Sequence, residues 1–299
     1  MELADFCSTS RVMVVAGKGG VGKTTVTATI AVAAARAGRN VLIVEVEGKS
    51  GLTAAFDLPT LRYDEIDLAE GIRARSLTPD EALIEYLVDH GMRRISKRLA
   101  ASGALDVVAT AVPGMRDILV LGKIKQLEQR READLILVDA PAAGHAVTFL
   151  MSPAGLLDAV RVGPVRKQAQ DVVEMLRDGA RCQVLLVTVP EETPMNELID
   201  TAFALEDRVG IQLGPVVVNA CAPEPPGPRD LGDEPEAAAI EAALAWARNR
   251  WSLQQAQIAR LATRLPLPQI QLPNLATAAI TRHDVDTLAA IFTTAVGSL

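Results

Sequence analysis

The sequence predicts an α/β protein built on a doubly wound, mainly parallel sheet with helical insertions. Three observations carry this expectation. Six short runs, Arg11–Ala16, Val41–Val46, Leu135–Val138, Val184–Val189, Pro215–Asn219 and Leu267–Gln271, are apolar almost without interruption, the pattern of strands buried on both faces. Segments of helical periodicity separate them, as crossover connections require. Hydrophobic residues make up 49% of the chain but aromatics only 3%, so the core is aliphatic and alanine-rich. Such a core suits helices laid against a parallel sheet.

The elements follow in order. The opening MELADFCSTSR has no basic stretch followed by an apolar one, unlike a secretory signal. The first strand run leads through a glycine-rich loop into an alanine-rich helix, Lys23 to Arg36, that stops at Gly38, a plausible C′ residue. Residues 60–132 read as several helices. One of these opens at Thr78-Pro79-Asp80-Glu81, a capping box with proline at the first helical position, and places Ala82, Leu83, Tyr86 and Leu87 on one face. Thr193-Pro194 starts another helix. Residues 222–265 begin in the Pro/Gly/acidic stretch that opens with CAPEPPGPRDLGDEPE and continue as one or two helices carrying Trp246 and Trp251. The last helix, His283 to Val296, aligns Val285, Leu288, Phe292 and Ala295. There is no internal repeat. The expectation is one domain, 1–299, with helical insertions at about 60–132 and 222–265.

Composition narrows the function. The net charge is -7, against a protein that holds nucleic acid by neutralising phosphates. The one dense basic run, Arg93, Arg94, Lys97 and Arg98, has the helical spacing of a solvated face. The three cysteines, Cys7, Cys182 and Cys221, form no CxxC pair and no metal-ligand spacing. They imply a reducing, cytoplasmic setting. No apolar run approaches the length that spans a bilayer, so direct membrane insertion is not expected.

The chemistry concentrates in AGKGGVGKTT. Gly17-Lys18-Gly19-Gly20-Val21-Gly22-Lys23-Thr24 matches GxxxxGK[ST] between a strand and a helix, the context that gives the motif its meaning. Glycines let backbone N–H groups converge on phosphate oxygens, and the helix N-terminus, here running through Thr25, adds partial positive charge. Lys23 suits the terminal phosphates and the Thr24 hydroxyl suits Mg²⁺. ATP with Mg²⁺ is the expected cofactor pair, on a sheet of P-loop NTPase topology. Glu45 and Glu47 alternate at the end of the second strand run, on one face at the edge where the loop lies. Asp139 ends the third run, in LILVDAPAAGH.

Lys18 is a second lysine in the loop, and with it GKGGVGKT resembles the deviant Walker A ATPases. The resemblance implies that Lys18 reaches across a dimer interface to the partner's nucleotide, a cation supplied in trans as an arginine finger is. It implies that Asp139 is the Walker B carboxylate on Mg²⁺. Glu47 falls where the class usually has the aspartate that positions the attacking water. Gly144-His145 resembles a switch II segment whose pattern reads DTAPTGH, with Ala140 and Ala143 in place of two threonines. Asn219, in PVVVNAC, matches an adenine-reading asparagine, and LPQIQLPN through Pro273 resembles the loop over the base.

Together with VPEETP at Val189 to Pro194, these segments resemble the ArsA-type ATPases over nearly the whole chain. That family includes arsenite-pump ATPases and tail-anchored-protein targeting factors. EVEGKSG, PGMRDILVLGKIK and VGPVRKQ look most like its actinobacterial branch, whose ATPases tend to occur as paired, non-identical subunits. The resemblance implies a homodimer, or a heterodimer with a related ATPase, that switches a partner on ATP hydrolysis, with a membrane-protein client or membrane partner. The cysteines do not fall on the arsenite-binding cluster of the pumps, and the CxxC zinc pair and methionine-rich groove of the targeting factors are missing. Residues 60–132 and 150–180 are the candidates for an aliphatic groove. Three other readings are weighed: a weakly or non-hydrolysing partner subunit, which Glu47 and the two switch alanines favour; a partition or site-selection ATPase, which lacks its basic C-terminal helix here because no Lys or Arg follows Arg282; and an iron-protein-type reductase, which lacks the cysteines for a cluster.

Overall fold

The computed structural model describes residues 1–46, 51–56, 58, 61–89, 91–94, 96, 114–227 and 237–299; at 142–145 and 237 it describes the backbone alone. The described strands are β1 (Val12–Gly17), β2 (Val41–Val46), β3 (Ile66–Ala69), β4 (Ile72–Leu77), β5 (Leu135–Ala142), β6 (Cys182–Thr188), β7 (Gln212–Leu213), β8 (Val216–Cys221) and β9 (Gln269–Pro273). They form one sheet of order β3-β4-β2-β5-β1-β6-β8-β9, with β7 beside β6. Every pairing is parallel except β3 with β4. Strand order reverses on either side of β1, as a doubly wound sheet requires.

The central strands β1, β2, β5 and β6 have two buried faces, and successive residues serve opposite cores. Val12, Val14 and Ala16 of β1 join Leu42, Val44, Ile136, Val138, Val184 and Leu186 on one side. The helices α5 (Met115–Arg130), α6 (Ala143–Ala159), α7 (Pro164–Arg177), α8 (Glu192–Val209) and α9 (Ala237–Arg264) lie on that side. Met13 and Val15 point the other way, with Val41, Ile43, Leu135, Leu137, Leu185 and Val187. That face carries α1 (Leu3–Phe6), α2 (Lys23–Arg36), α3 (Gly51–Ala55) and α10 (Arg282–Gly297). Helix α2 is buried from Val26 through Ala34, because it lies between the sheet and α10; small alanine side chains permit that double approach. Helix α10 starts at Thr281, whose hydroxyl and Asp284 form a reciprocal capping box.

Residues 60–132 depart from the all-helical expectation. They open with the β3–β4 hairpin, turned by Glu70-Gly71 with Gly71 at φ 73°. Two arginines in β4 obscured its strand character. Arg75 is buried by stacking on the Tyr63 ring, 4.3 Å from the guanidinium carbon to the centroid, and Arg73 pairs with Glu65 at 2.5 Å. The helix α4 (Pro79–Asp89) then begins at the expected cap: Thr78 Oγ1 donates to Glu81 Oε2 at 2.7 Å, and Glu81 N donates back to Thr78 Oγ1 at 3.4 Å.

The second long segment ends in a single 28-residue helix, α9. Its C-terminal part packs through Gln254, Ile258 and Leu261, while Trp246 and Leu253 stay exposed. Strand β5 runs directly into the 17-residue α6, with no residue between Ala142 and Ala143. Among the described residues no helix is long and apolar enough to cross a membrane.

Candidate functional site

The central strand β1 ends at Gly17, and the chain turns through Lys18–Gly22 into α2. Local chemistry forces the turn. Gly20 and Gly22 adopt φ 85° and 89°, which costs a residue with a Cβ about 1–2 kcal/mol. Gly22 is also closely approached: a Cβ there would sit 2.2 Å from Asn219 Nδ2, and one on Gly17 would sit 2.2 Å from the Val187 carbonyl oxygen. Val21 is buried, whereas Gly19 and Gly20 are exposed at the tip.

The two lysines take different places. Lys23, in the first turn of α2, is buried, and its ammonium donates to the Lys18 carbonyl at 3.2 Å. Lys18 projects sideways, and its ammonium lies 2.5 Å from Glu197 Oε1 on α8, with the two side chains 37% and 43% exposed. No local signal marks Glu197; its partnership depends on where β6 and α8 place it, 179 residues along the chain.

Thr24 Oγ1 donates to Asp139 Oδ2 at 2.6 Å. Asp139 is buried on β5, in register with Val15 of β1 and Glu45 of β2. Past Asp139 the β1–β5 register shifts, so that Gly17 faces Ala142. Glu45 is buried at the same edge. The helix backbone at Gly144 and His145 continues β5 directly. Thr25 is half-buried beside Thr24, and its carbonyl accepts from Thr29 Oγ1 at 2.8 Å. Glu47 lies outside the described residues.

Asn219 reaches the loop from the other flank. The β8–β9 register shifts between Val218 and Cys221, and Ala220 takes φ 56°. Such bulges re-aim side chains beside functional sites. Here Asn219 Nδ2 donates 2.9 Å to the Val21 carbonyl. Pro273 ends β9 opposite Cys221, at the same end of the sheet. The structure thus brings Lys18, Lys23, Thr24, Glu45, Asp139 and Asn219 to one edge.

Hard oxygen donors suit Mg²⁺, and a hydroxyl and a carboxylate 2.6 Å apart supply such a pair. The cysteines are elsewhere. All three are free and buried, with Cys7 in the core on the opposite side of the sheet from Cys182 and Cys221. Burial pushes the Cys182 thiol up to about 12, and those of Cys7 and Cys221 to about 11. Two clefts of about 300 and 410 Å³ lie between α4, α5 and α7 and between α9 and Pro190–Glu192; neither is lined by a residue of the glycine loop.

A parallel sheet whose central strand feeds a glycine loop, with a lysine and a threonine in the following helix turn and an aspartate on the adjacent strand, defines a P-loop nucleotide-hydrolysing protein. The chain belongs to the anion-transporting ATPase family, ArsA_ATPase, whose sequence profile matches residues 10–163, and it is an ATPase. It is 34% identical over 238 residues to ATPase BagA of Mycobacterium tuberculosis, covering 76% of this chain and 69% of that one. It is 25% identical over 243 residues to the arsenical pump-driving ATPase of Escherichia coli, covering 72% of this chain and 40% of the other. ATPase GET3 of Chaetomium globosum matches over 148 residues at 26% identity, 49% of this chain and 44% of that protein.

Proposed function

We propose that the chain is a Mg-ATP-dependent molecular switch that works as a dimer, with a second copy or with a related ATPase. The observation that carries this reading is the Lys23, Thr24 and Asp139 cluster at the mouth of the glycine loop, with the Thr24 hydroxyl 2.6 Å from the carboxylate. The loop N–H groups and Lys23 bind the nucleotide phosphates, and Thr24 with Asp139 holds Mg²⁺, which would neutralise charge on the terminal phosphates. Phosphoryl transfer to water is then a matter of positioning and charge stabilisation. Glu47 orients the attacking water, Lys18 supplies a cation to the partner's nucleotide, and Asn219 with Pro273 contacts the base. Glu45, Gly144 and His145 carry the nucleotide state into α6.

The 299 residues act as one ATPase domain in the cytoplasm, without nucleic acid. The arsenical-pump name of the E. coli relative supports a partner or client at a membrane. A metalloid cargo finds no support in the three cysteines, which are buried and divided between the two cores.

Steady-state ATP hydrolysis with Mg²⁺ over a range of protein concentrations tests the reading. Turnover per chain rises with concentration and collapses in Lys18→Ala. ATP binding without turnover at any concentration overturns the self-sufficient enzyme and favours a subunit that needs a hydrolysing sister.

A further inference from the structure

Lys18 occupies an odd place for a residue with a task on another molecule. Its ammonium is 2.5 Å from Glu197 of its own chain. Glu197 stands on the second turn of α8, the helix that follows β6. Because β6 is hydrogen-bonded to β1 in register through Gly17–Val187, the start of α8 flanks the glycine loop.

The pair is poorly suited to bracing the fold. Both side chains are more than a third exposed, and ion pairs of that exposure are weak and screened. The fold is ordered by other means at this edge: Asn219 pins the Val21 carbonyl, Lys23 crosses the loop to the Lys18 carbonyl, and Gly17 packs on Val187. What the pair does fix is the direction of one long, flexible side chain. Lysine carries large rotamer entropy, and the carboxylate removes part of it before any partner arrives.

We propose that Glu197 is a positioning residue for Lys18: it tethers the ammonium within its own subunit and yields it to nucleotide phosphate when two subunits close. The inference rests on the reading that Lys18 acts in trans. The exchange is favourable in that direction because a triphosphate is more highly charged than a half-exposed carboxylate, and closure removes the water that screens it. The weakness of the tether is what makes it releasable. It sets a threshold for association rather than a lock.

The test measures ATP-dependent self-association by sedimentation, with turnover against protein concentration, for the full chain and for Glu197→Gln, Glu197→Asp and Lys18→Ala. Glu197→Gln keeps the shape of the side chain and removes its charge. It is expected to shift the association midpoint to lower concentration by about fivefold, the equivalent of ~1 kcal/mol per dimer or about half that for each of the two exposed pairs released, with turnover at saturating protein retained. Glu197→Asp restores the parent midpoint. A melting temperature that does not move while the midpoint does separates tethering from folding. If Lys18→Ala collapses and Glu197→Gln leaves the midpoint unmoved or raises it, the tether is wrong and the trans role of Lys18 stands. If Glu197→Gln loses its plateau turnover, Glu197 works inside the closed dimer and the tether is again wrong. If Lys18→Ala behaves as the parent, or no self-association occurs with ATP, the trans reading falls and the tether with it.

Discussion

Asn219 donates its side-chain amide to the Val21 carbonyl at 2.9 Å, tying the last strands of the sheet to a loop formed 198 residues earlier. The same amide occupies the space that a side chain at Gly22 would need. Loop conformation and asparagine position therefore specify one another.

Gly22→Ala is expected to abolish nucleotide binding and lower the melting temperature, because it combines a left-handed backbone with the contact against Asn219. Asn219→Ala alone leaves the Val21 carbonyl without this donor and costs about 1–3 kcal/mol. The double variant should lose less stability than the two single losses together, since the second change removes the obstruction met by the first. Thermal melts of the four proteins measure the coupling; strict additivity would dismiss it.

Thr24→Ala removes the hydroxyl that meets Asp139. Hydrolysis should fall by about 10²-fold, the scale of losing one positioned electrostatic contact, and nucleotide affinity should lose its dependence on Mg²⁺. Thr24→Ser keeps the oxygen and should keep most of both. Titrating Mg²⁺ against a fluorescent ATP analogue separates the two variants.

At the opposite end of the sheet Glu128, 1% exposed, pairs with Arg11 and with Arg181, the latter at 2.7 Å. It fastens the end of α5 to the residues entering β1 and β6. Glu128→Ala should destabilise by about 2 kcal/mol, less than the ~3–5 kcal/mol of a fully buried pair because both arginines regain water. Denaturant unfolding would show this as a lower midpoint, with ATP affinity unchanged under native conditions.

The buried thiols make a pH prediction. Their folded-state values are raised, to about 12 for Cys182 and about 11 for Cys7 and Cys221, from an ordinary 9.0. A raised value means that the unfolded chain loses its protons first. The thiols' contribution is fully present below pH 9 and declines as pH climbs towards 11–12. Cys182→Ala should flatten part of that decline, whatever it does to stability at neutral pH. Native protein at pH 8 should resist alkylation that the unfolded chain undergoes readily.

What could be read from the sequence follows the range of the interactions. The strand runs and the glycine loop between β1 and α2 were legible because their chemistry is local, and the place of Asp139 because it directly follows an unbroken aliphatic run, although β5 continues past it to Ala142. Parallel pairing and the two-sided core followed from unbroken aliphatic runs. The β3–β4 hairpin was missed because Arg73 and Arg75 break its apolar pattern, and only the folded chain supplies Tyr63 and Glu65 to accommodate them. Glu197 was missed for a similar reason: on α8 it looks like any solvated helix acid until β6 docks beside β1. The hydrogen bond from the Asn219 amide to the loop depends on a bulge at Ala220, which no periodicity announces.

The unbroken passage of β5 into α6 has a mechanical consequence. Only three residues separate Asp139 from the first residue of the helix, Ala143, so carboxylate and helix share one backbone with no slack between them. A helix of 17 residues is about 25 Å long. In the proposed switch a small tilt at its root would be multiplied along that shaft, and Pro153 within it lacks the N–H of one rung of the helix's hydrogen-bond ladder. In the switch proposed above, this continuity would give α6 the gearing of a lever with its fulcrum at the nucleotide.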